Sequence, residues 1–257
     1  SDGALSVSEL LDLNIARGNN IVAITDHDCL DGYKEAITLN KDIQLVCGLE
    51  LTTRYNDESI HILGYFKNIK DAFPMEDFLE ERIKRRKERA YLILQKLQEI
   101  YNIKLNPEFI EKTKSVTRAT ILQEILQAKY PYTRKQIFSE MIGEGCPAYV
   151  PSSKIHTRDG IKMIQNCGGI AVIAHPMEIK KSDVEEIIAF GVDGIEAVYA
   201  AHLDQEIKYR ELAKKHNLLI TAGTDFHRFQ DGKHGEIGDA YLTGLDLEKF
   251  LKALYER

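Results

Sequence analysis

The chain has 257 residues, of which 44% are hydrophobic and 29% charged, and its formal net charge is -6. This length accommodates one large α/β barrel or two ordinary domains, and the apolar fraction is normal for a packed soluble protein. The negative charge argues against a general nucleic-acid coat protein, although it leaves room for a local basic patch.

The cysteines lie singly along the chain, at Cys29, Cys47, Cys146 and Cys167, without a Cys-x-x-Cys pair. This pattern argues against a disulfide framework or a structural zinc knuckle and favours a reducing compartment. No stretch approaches the roughly 18 to 20 apolar residues that span a bilayer, and no leader-like segment opens the chain. We therefore expect a soluble cytoplasmic protein with no membrane partner and no obligate protein partner.

Helix-like and strand-like segments alternate at the start of the chain. Ser6 and Glu9 form a capping box, which predicts a helix that ends before Gly18. The following elements are expected to be a strand over 21–25, a helix over 31–40, a strand over 43–49 and a strand over 59–66. This βα alternation predicts a parallel sheet.

The alternation stops in the middle of the chain. Residues 78–101 predict one long amphipathic helix with a basic run from Arg82 to Arg89, and another helix is expected to begin near Thr117. Residues 75–159 carry no strand signal of any strength, so we interpret them as a helical insertion or cap domain.

The βα rhythm resumes after the insertion. The expected elements are a helix from Thr157, a strand over 170–174, a helix from Ser182, a strand over 193–198, a helix from Leu203, a strand over 218–222 and a final helix from Asp246. Residues 1–74 and 160–257 together predict an α/β barrel that the cap interrupts.

Metal-type side chains directly follow several of the apolar runs. They are Asp26, His27, Glu50, His175, Asp225 and His227. In parallel α/β barrels the functional groups gather at the carboxyl ends of the strands, so these side chains are expected to meet. Imidazole and carboxylate together suit zinc, manganese or iron better than magnesium or calcium. The sequence therefore favours metal-dependent hydrolysis.

Other polar residues have a weaker sequence context. A lone histidine inside a strand, such as His61, is more often a satisfied core or surface group than a ligand, but its companions make it a ligand candidate. We interpret Asp28 as a helix cap, and Asp26 either as a cap or as an acceptor that orients His27.

For two further residues the alternatives stay open. His202 is either a helix-start residue or a substrate contact, and Glu196 is structural or functional at even odds, with the structural role favoured. The remaining histidines lack a strand-end context and are interpreted as ordinary surface groups: His156, His216 and His234.

Arginines supply the candidate phosphate contacts. The run from Arg82 to Arg89 is interpreted first as a solvated helix face and only second as a phosphate-binding surface. Arg118 lies near a predicted helix start, where backbone amides already favour an anion. Its guanidinium fork would hold a phosphate in two contacts.

These residues resemble the PHP (polymerase and histidinol phosphatase) superfamily of metal-dependent phosphoesterases. The matching stretches are Ser1-Asp2-Gly3, Ile24-Thr25-Asp26-His27-Asp28, Gly48-Leu49-Glu50, His61-Ile62-Leu63-Gly64-Tyr65, Ala174-His175-Pro176 and Gly223-Thr224-Asp225-Phe226-His227. The inserted helices, Thr117-Arg118-Ala119 and Pro147-Ala148-Tyr149-Val150 are similar to the branch that removes phosphate from nucleotides, including 3',5'-bisphosphates, and trims RNA ends.

The resemblance implies a distorted, seven-stranded TIM-like (β/α)7 barrel with an inserted helical cap and two or three divalent transition-metal ions, such as manganese, zinc or iron. By position, the ligand sets would be Asp2, His27 and His227 for one ion, Glu50, His61 and His175 for a second, and Asp225 with Glu50 for a third. Arg118 would contact the phosphate with His202 nearby, and Asp26 and His202 are the catalytic candidates.

The chain departs from the family at its start. Family members open with a strand that ends in His-x-His shortly before Ser-Asp-Gly, whereas this chain begins at Ser1. The first strand and two histidines are therefore expected to be missing from the chain, and trimming is the favoured explanation, because the 21–25 strand would otherwise keep an unpaired edge.

The leading hypothesis is hydrolysis of phosphomonoesters of nucleotides, such as AMP or 3',5'-bisphosphates, by a hydroxide that bridges the ions. The partner would then be a small phosphate ester. The first alternative is a 5'-3' exonuclease on short RNA or DNA, in which the basic helix guides an oligonucleotide strand. The second alternative is an inactive PHP-like scaffold module.

Overall fold

The computed structural model describes residues 2–113, 115–151, 154–230 and 232–256. In chain order its elements are α1 (Val7–Ala16), β1 (Ile21–Ile24), α2 (Asp31–Ala36), β2 (Gln44–Tyr55), β3 (Glu58–Phe66), α3 (Ile69–Ala72), α4 (Glu76–Tyr101), α5 (Glu108–Lys112), α6 (Arg118–Gln127), α7 (Arg134–Gln136), β4 (Ile155–His156), α8 (Thr157–Asn166), β5 (Ile170–Ile173), α9 (Val184–Ile188), β6 (Gly194–Tyr199), α10 (Glu206–Lys215), β7 (Leu219–Gly223) and α11 (Gly244–Tyr255). Short 3-10 turns cover Phe73–Met75, Pro176–Glu178 and Ala200–Gln205, and a π-helical segment covers Ile137–Ile142. Among the residues described, no helix combines the length and apolarity that a bilayer crossing requires.

The chain divides into two compact units. One unit contains residues 1–2 and 77–153, and the other contains residues 3–76 and 154–257. The larger unit carries the sheet and the α/β alternation, which confirms the α/β class. Closure of this sheet into a seven-stranded barrel stays a prediction.

The sheet of the larger unit is mixed, so the prediction of a parallel sheet is wrong for one strand. Its order is β1-β2-β3-β5-β6-β7, with β4 paired to β2. The pairs β1–β2, β2–β4, β5–β6 and β6–β7 are parallel, whereas β3 runs antiparallel to both β2 and β5. The two-residue strand β4 also corrects the expectation that residues 75–159 contain no strand.

The direction of β3 follows from a tight hairpin. Asn56 and Asp57 connect β2 to β3, and both have left-handed backbone angles, with φ of 46° and 54°. Asparagine and aspartate tolerate this region better than other non-glycine residues, and a two-residue hairpin turn requires it. No crossover helix separates the two strands, so they must run in opposite directions.

The longer β2 changes the position of Glu50. The predicted strand over 43–49 continues to Tyr55, so Glu50 lies inside β2 rather than at its end. Strand β3 runs antiparallel to β2 and β5, so the first half of β3 lies beside the carboxyl-terminal halves of these two strands. His61 pairs in register with Thr52, and its carbonyl accepts a hydrogen bond of 3.1 Å from the Ala174 amide just after β5.

Apolar layers cover the sheet. On one side a cluster joins strand residues to α11, and it contains Val46, Leu63, Tyr65, Ile170, Val172, Ala174, Phe250 and Leu254. Helix α8 packs close to β2 and β3, because a Cβ on Gly160 would lie only 2.7 Å from Thr53 Cγ2. These contacts fix the strands that carry the candidate ligands.

The smaller unit has its own helical core. Its buried residues come mainly from α4, α6 and the π-helical segment, and include Ile93, Leu97, Ile121, Leu122, Ile125, Ile137 and Ile142. Thr117 and Thr120 form a capping box at the start of α6, as a helix beginning near Thr117 requires. The interpretation of the basic run of α4 as a solvated helix face is wrong for two of its arginines. Arg82 is buried, and Arg89 donates a hydrogen bond of 2.7 Å to the Val150 carbonyl.

The buried thiols provide a test of this packing. Cys29 and Cys47 are 3% and 1% exposed, and burial raises their pKa to about 11 and about 12. Because the thiolate is the reactive form, we expect an alkylating reagent at pH 8 to modify the partly exposed Cys146 well before these two thiols. Timed labelling followed by peptide mass spectrometry measures the order. Equal rates for Cys47 and Cys146 in native protein, rather than only in denaturant, would contradict the packing.

Candidate metal centre

Backbone pairing continues beyond the end of β1 and places His27 beside Glu50. The Glu50 amide donates to the Asp26 carbonyl and the Asp28 amide donates to the Glu50 carbonyl, both at 3.0 Å. His27 and Glu50 form an isolated parallel bridge between these contacts. The two candidate ligands are therefore positioned by main-chain hydrogen bonds rather than by a flexible loop.

The two aspartates that flank His27 differ, because Asp26 contacts the first turn of α2 as its cap interpretation expects, whereas Asp28 does not cap a helix. Asp28 was interpreted as a helix cap, but its buried carboxylate accepts a hydrogen bond of 2.9 Å from the Thr52 amide of β2. Asp26 accepts 3.0 Å from the Gly32 amide in the first turn of α2. A Cβ at Gly32 would collide with that carboxylate, so the glycine permits the contact. Asp26 thus anchors α2, and a catalytic role for it stays a prediction.

Three imidazoles converge on the buried carboxylate of Glu50. His27 Nδ1 lies 2.9 Å from Glu50 Oε2, while His61 Nδ1 and His175 Nε2 lie 2.9 Å and 3.0 Å from Oε1. The two nitrogen atoms around Oε1 are 3.2 Å apart. Ligands held at 2.0–2.2 Å by one ion are separated by roughly 3.0 to 3.6 Å, depending on octahedral or tetrahedral geometry. The donor set therefore fits a divalent transition metal.

The charges of these groups shift one another's pKa values. Burial by itself would raise the pKa of Glu50, but His27, His61 and His175 together hold it well below its usual value. Burial lowers the pKa of His61 despite the nearby Glu50. Burial also disfavours the charged form of His175, but the hydrogen bond and charge of Glu50 raise its pKa to about 9.

A second group of ligand-type atoms contains Asp225, His227 and His234. The Nδ1 of His227 lies 2.7 Å from the Asp225 carbonyl and donates to it, which leaves Nε2 as the ligand atom. His234 Nε2 lies 3.5 Å from Asp225 Oδ2, and its side chain is only 13% exposed. The interpretation of His234 as an ordinary surface histidine is therefore wrong. Its irregular loop has no strand or helix periodicity that could have revealed it.

Ring contacts connect the two groups. The centroids of His27 and His227 are 5.9 Å apart, those of His27 and His61 are 5.0 Å apart, and those of His61 and His175 are 5.1 Å apart. The structure thus brings together six of the predicted ligands: His27, Glu50, His61, His175, Asp225 and His227.

Buried polar residues form hydrogen bonds with the ligand residues and their backbone. Glu196 accepts a hydrogen bond of 2.8 Å from the His175 amide, which agrees with the favoured structural role. Burial raises the pKa of Glu196 to about 7, although the charge of His175 opposes the shift. The Tyr199 hydroxyl lies 3.3 Å from both Asp225 Oδ2 and Glu178 Oε1.

The roles expected for Asp2 and His202 stay predictions. Asp2 belongs to the smaller unit, while the neighbouring Ala4 amide donates 2.7 Å to the His227 carbonyl within the larger unit. His202 lies in the 3-10 turn after β6, with its ring centroid 6.0 Å from that of Tyr199.

The smaller unit places two guanidinium groups around one aromatic ring. Arg118 lies 5.6 Å and Arg89 lies 5.9 Å from the Tyr149 ring centroid. Burial, followed by the charge of Arg118, lowers the pKa of Arg89 to about 10. Two like charges held this close favour an anion between them. The sequence analysis included Arg89 only as part of the basic run of α4. Its spacing of seven residues from the buried Arg82 places both on one helix face.

An α/β fold that gathers imidazoles and carboxylates beside its strand ends defines a metal-dependent hydrolase. No family model matches the chain. A 5'-3' exoribonuclease of Haemophilus influenzae is 32% identical over 242 residues, which cover 88% of this chain and 86% of the relative. A 3',5'-nucleoside bisphosphate phosphatase of Chromobacterium violaceum is 28% identical over 251 residues, covering 90% and 85%. The chain belongs to the PHP superfamily of metal-dependent phosphoesterases.

The fold agrees with that assignment. A solved structure from Bifidobacterium adolescentis, assigned as a metal-dependent phosphoesterase, superposes with a TM-score of 0.83 at 22% identity. The superposition covers 98% of this chain and 92% of the other chain. This superposition supports the fold, whereas the two relatives named above confirm the resemblance stated from the motifs and the expectation of a hydrolase.

Metal uptake should release protons. A ligating imidazole must be deprotonated, and Glu50 raises the pKa of His175 to about 9. Apparent affinity should therefore rise about tenfold per pH unit between about pH 7 and pH 9 and level off above that. Calorimetry at pH 7 in buffers of different ionisation enthalpy counts the protons released. His216→Ala, which removes a histidine paired with Glu185, is the matched control and should leave the count unchanged. Binding at pH 7 without proton release would refute this account of His175.

Proposed function

We propose that the chain hydrolyses phosphomonoesters of nucleotides, such as AMP or 3',5'-bisphosphates. The observation that carries the proposal is the convergence of three imidazoles on the Glu50 carboxylate at 2.9–3.0 Å. The relative described as a 3',5'-nucleoside bisphosphate phosphatase supports this substrate class. Within the smaller unit, Arg89 and Arg118 carry positive charge that suits a phosphate.

Two or three divalent ions of manganese, zinc or iron would be held by the ligand sets named from the sequence. Glu50, His61 and His175 would hold one ion. Asp2, His27 and His227 would hold a second. By family position, Asp225 with Glu50 would hold a third. When bound, such ions polarise the phosphate and make water a better nucleophile.

The residues around the ligands restrict their motion. Glu196 holds the His175 backbone, Tyr199 contacts Asp225, and Asp28 ties the His27 segment to β2. Side chains fixed in this way bind an ion with less loss of conformational entropy, and they orient the reacting phosphate more accurately. We further propose that Arg118 binds a substrate phosphate and that His202 contacts the substrate.

A 5'-3' exonuclease on short RNA is the second candidate. The 32% identical relative from Haemophilus influenzae has that activity in its name. The exposed side of α4 carries Lys84 and Arg85, which can follow a phosphate backbone. Both activities break phosphate esters, so the same metal centre serves either one, and substrate length separates them.

For the architecture, we propose a PHP barrel formed by residues 1–74 and 160–257 with residues 75–159 as its cap.

Removal of the Arg118 guanidinium should weaken catalysis on mononucleotides. A hydrogen bond to a charged group contributes about 1.5–3 kcal/mol, so Arg118→Ala should lower kcat/KM for AMP or a 3',5'-bisphosphate roughly 10- to 100-fold. Phosphate release in the presence of manganese measures the effect. Arg85→Ala is the matched control, because Arg85 is exposed and pairs with Glu81 at 2.8 Å. Equal activity of Arg118→Ala and wild type would remove Arg118 from the substrate site.

Oligonucleotide binding distinguishes the exonuclease. If α4 guides a strand, replacing both Arg85 and Arg86 by alanine should weaken binding of short RNA and reduce the salt dependence of log K by about 1.4, with mononucleotide hydrolysis preserved. Binding titrations at several salt concentrations provide the slope. Equal losses on RNA and on AMP would count against a separate strand-guiding surface.

A further inference from the structure

His234 occupies a position that the family motifs do not assign. It lies seven residues after His227 in the segment that connects β7 to α11. The imidazole rings of His227 and His234 stack with centroids 4.5 Å apart and an interplanar angle of 29°. The side chain of His234 is 13% exposed. A histidine of this loop is thus packed against a candidate metal ligand.

The backbone beside His234 is anchored to the strand end that carries Asp225. The Gly235 amide donates a hydrogen bond of 2.9 Å to the Thr224 carbonyl. A Cβ at Gly235 would lie 3.2 Å from the same carbonyl and would collide with Ala200, so glycine permits the close approach. This hydrogen bond, one residue after His234 and one residue before Asp225, keeps the His234 ring close to Asp225.

One ring nitrogen of His234 lies close to both a cation and a carboxylate. Lys233 Nζ lies 3.0 Å from His234 Nε2, and Asp225 Oδ2 lies 3.5 Å from the same nitrogen. Ligand-type atoms of Asp225, His227 and His234 all lie within 4.8 Å of one another. His234 therefore belongs to a cluster whose donor atoms could hold a metal ion.

The spacing of His234 Nε2 and Asp225 Oδ2 suits one metal ion. Nitrogen and oxygen ligands at 2.0–2.2 Å from an ion in tetrahedral geometry lie about 3.3 to 3.6 Å apart. We propose that His234 is a metal ligand of this chain, and that its Nε2 shares an ion with Asp225. The proposal rests on the metal centre described above but is independent of the substrate.

Lys233 places an ammonium group beside His234. Its ammonium group lies 3.0 Å from His234 Nε2 and 3.6 Å from Glu178 Oε2, while the side chain is 62% exposed. A long exposed lysine can move away into solvent when a divalent ion enters. Lys233 therefore competes with the ion for His234, and its removal should favour metal binding.

Metal titration of the full chain tests the assignment without any substrate. Cobalt binding is measured by calorimetry and by visible absorption for wild type, His234→Ala and His216→Ala. We expect His234→Ala to bind its weakest cobalt ion at least roughly tenfold less tightly, with His216→Ala unchanged. Identical titrations for His234→Ala and wild type would overturn the proposal, and a wild-type chain that takes up no divalent ion would overturn the metal centre as well.

Two further variants separate direct ligation from support of the loop. His234→Cys should show a thiolate-to-cobalt charge-transfer band in the near ultraviolet, which His216→Cys should lack. Lys233→Met should bind cobalt as tightly as wild type or roughly two- to tenfold more tightly, because one repelling charge is gone. Cobalt bound at full stoichiometry to His234→Cys without the band would overturn direct ligation. A loss in Lys233→Met as large as that in His234→Ala would do the same.

Discussion

The buried carboxylate of Glu50 is the group on which the rest of the site depends. A charge that is 5% exposed loses most of its hydration, and burial of an unpaired carboxylate is strongly unfavourable. Here the cost is offset by three imidazoles from three different segments, each within 3.0 Å of one carboxylate oxygen. These contacts bring the end of β1, the middle of β2, the start of β3 and the end of β5 to one point. The ligands are therefore arranged by strand pairing.

That arrangement requires the reversed direction of β3. In a wholly parallel sheet the carboxyl ends of all strands lie on one edge, and a histidine near the start of a strand would lie on the opposite edge. The Asn56–Asp57 hairpin turns the chain immediately, so the early position of His61 in β3 falls next to Glu50 and His175. A distortion of the regular βα pattern is thus what completes the ligand set.

The sequence predicted the parts of the site that depend on short, contiguous stretches of the chain. Apolar runs followed by His27, His175 and Asp225 marked the strand ends, and the Ser6 and Thr117 caps marked helix starts. The length of β2 was not predictable in the same way, because the polar residues Thr52 and Thr53 continue the strand while being 5% and 0% exposed. Their burial depends on distant partners, such as Thr157 at 2.8 Å from Thr53. The positions of His234 and Arg89 also depend on tertiary packing, which periodicity does not report.

The candidate metal centre combines shifted pKa values with a ligand geometry that suits cations. Glu50, Glu196, Asp225 and Glu178 bring negative charge into a small buried region, and the charges of Asp225 and Glu50 add to the burial that raises the pKa of Glu196 to about 7. The pKa of His175 is raised to about 9 for the complementary reason, since Glu50 favours its charged form. Lys233 adds a mobile positive charge beside Glu178. Divalent ions would replace the protons on these groups and the ammonium group, so metal binding, proton release and movement of the Lys233 side chain are expected to be thermodynamically linked.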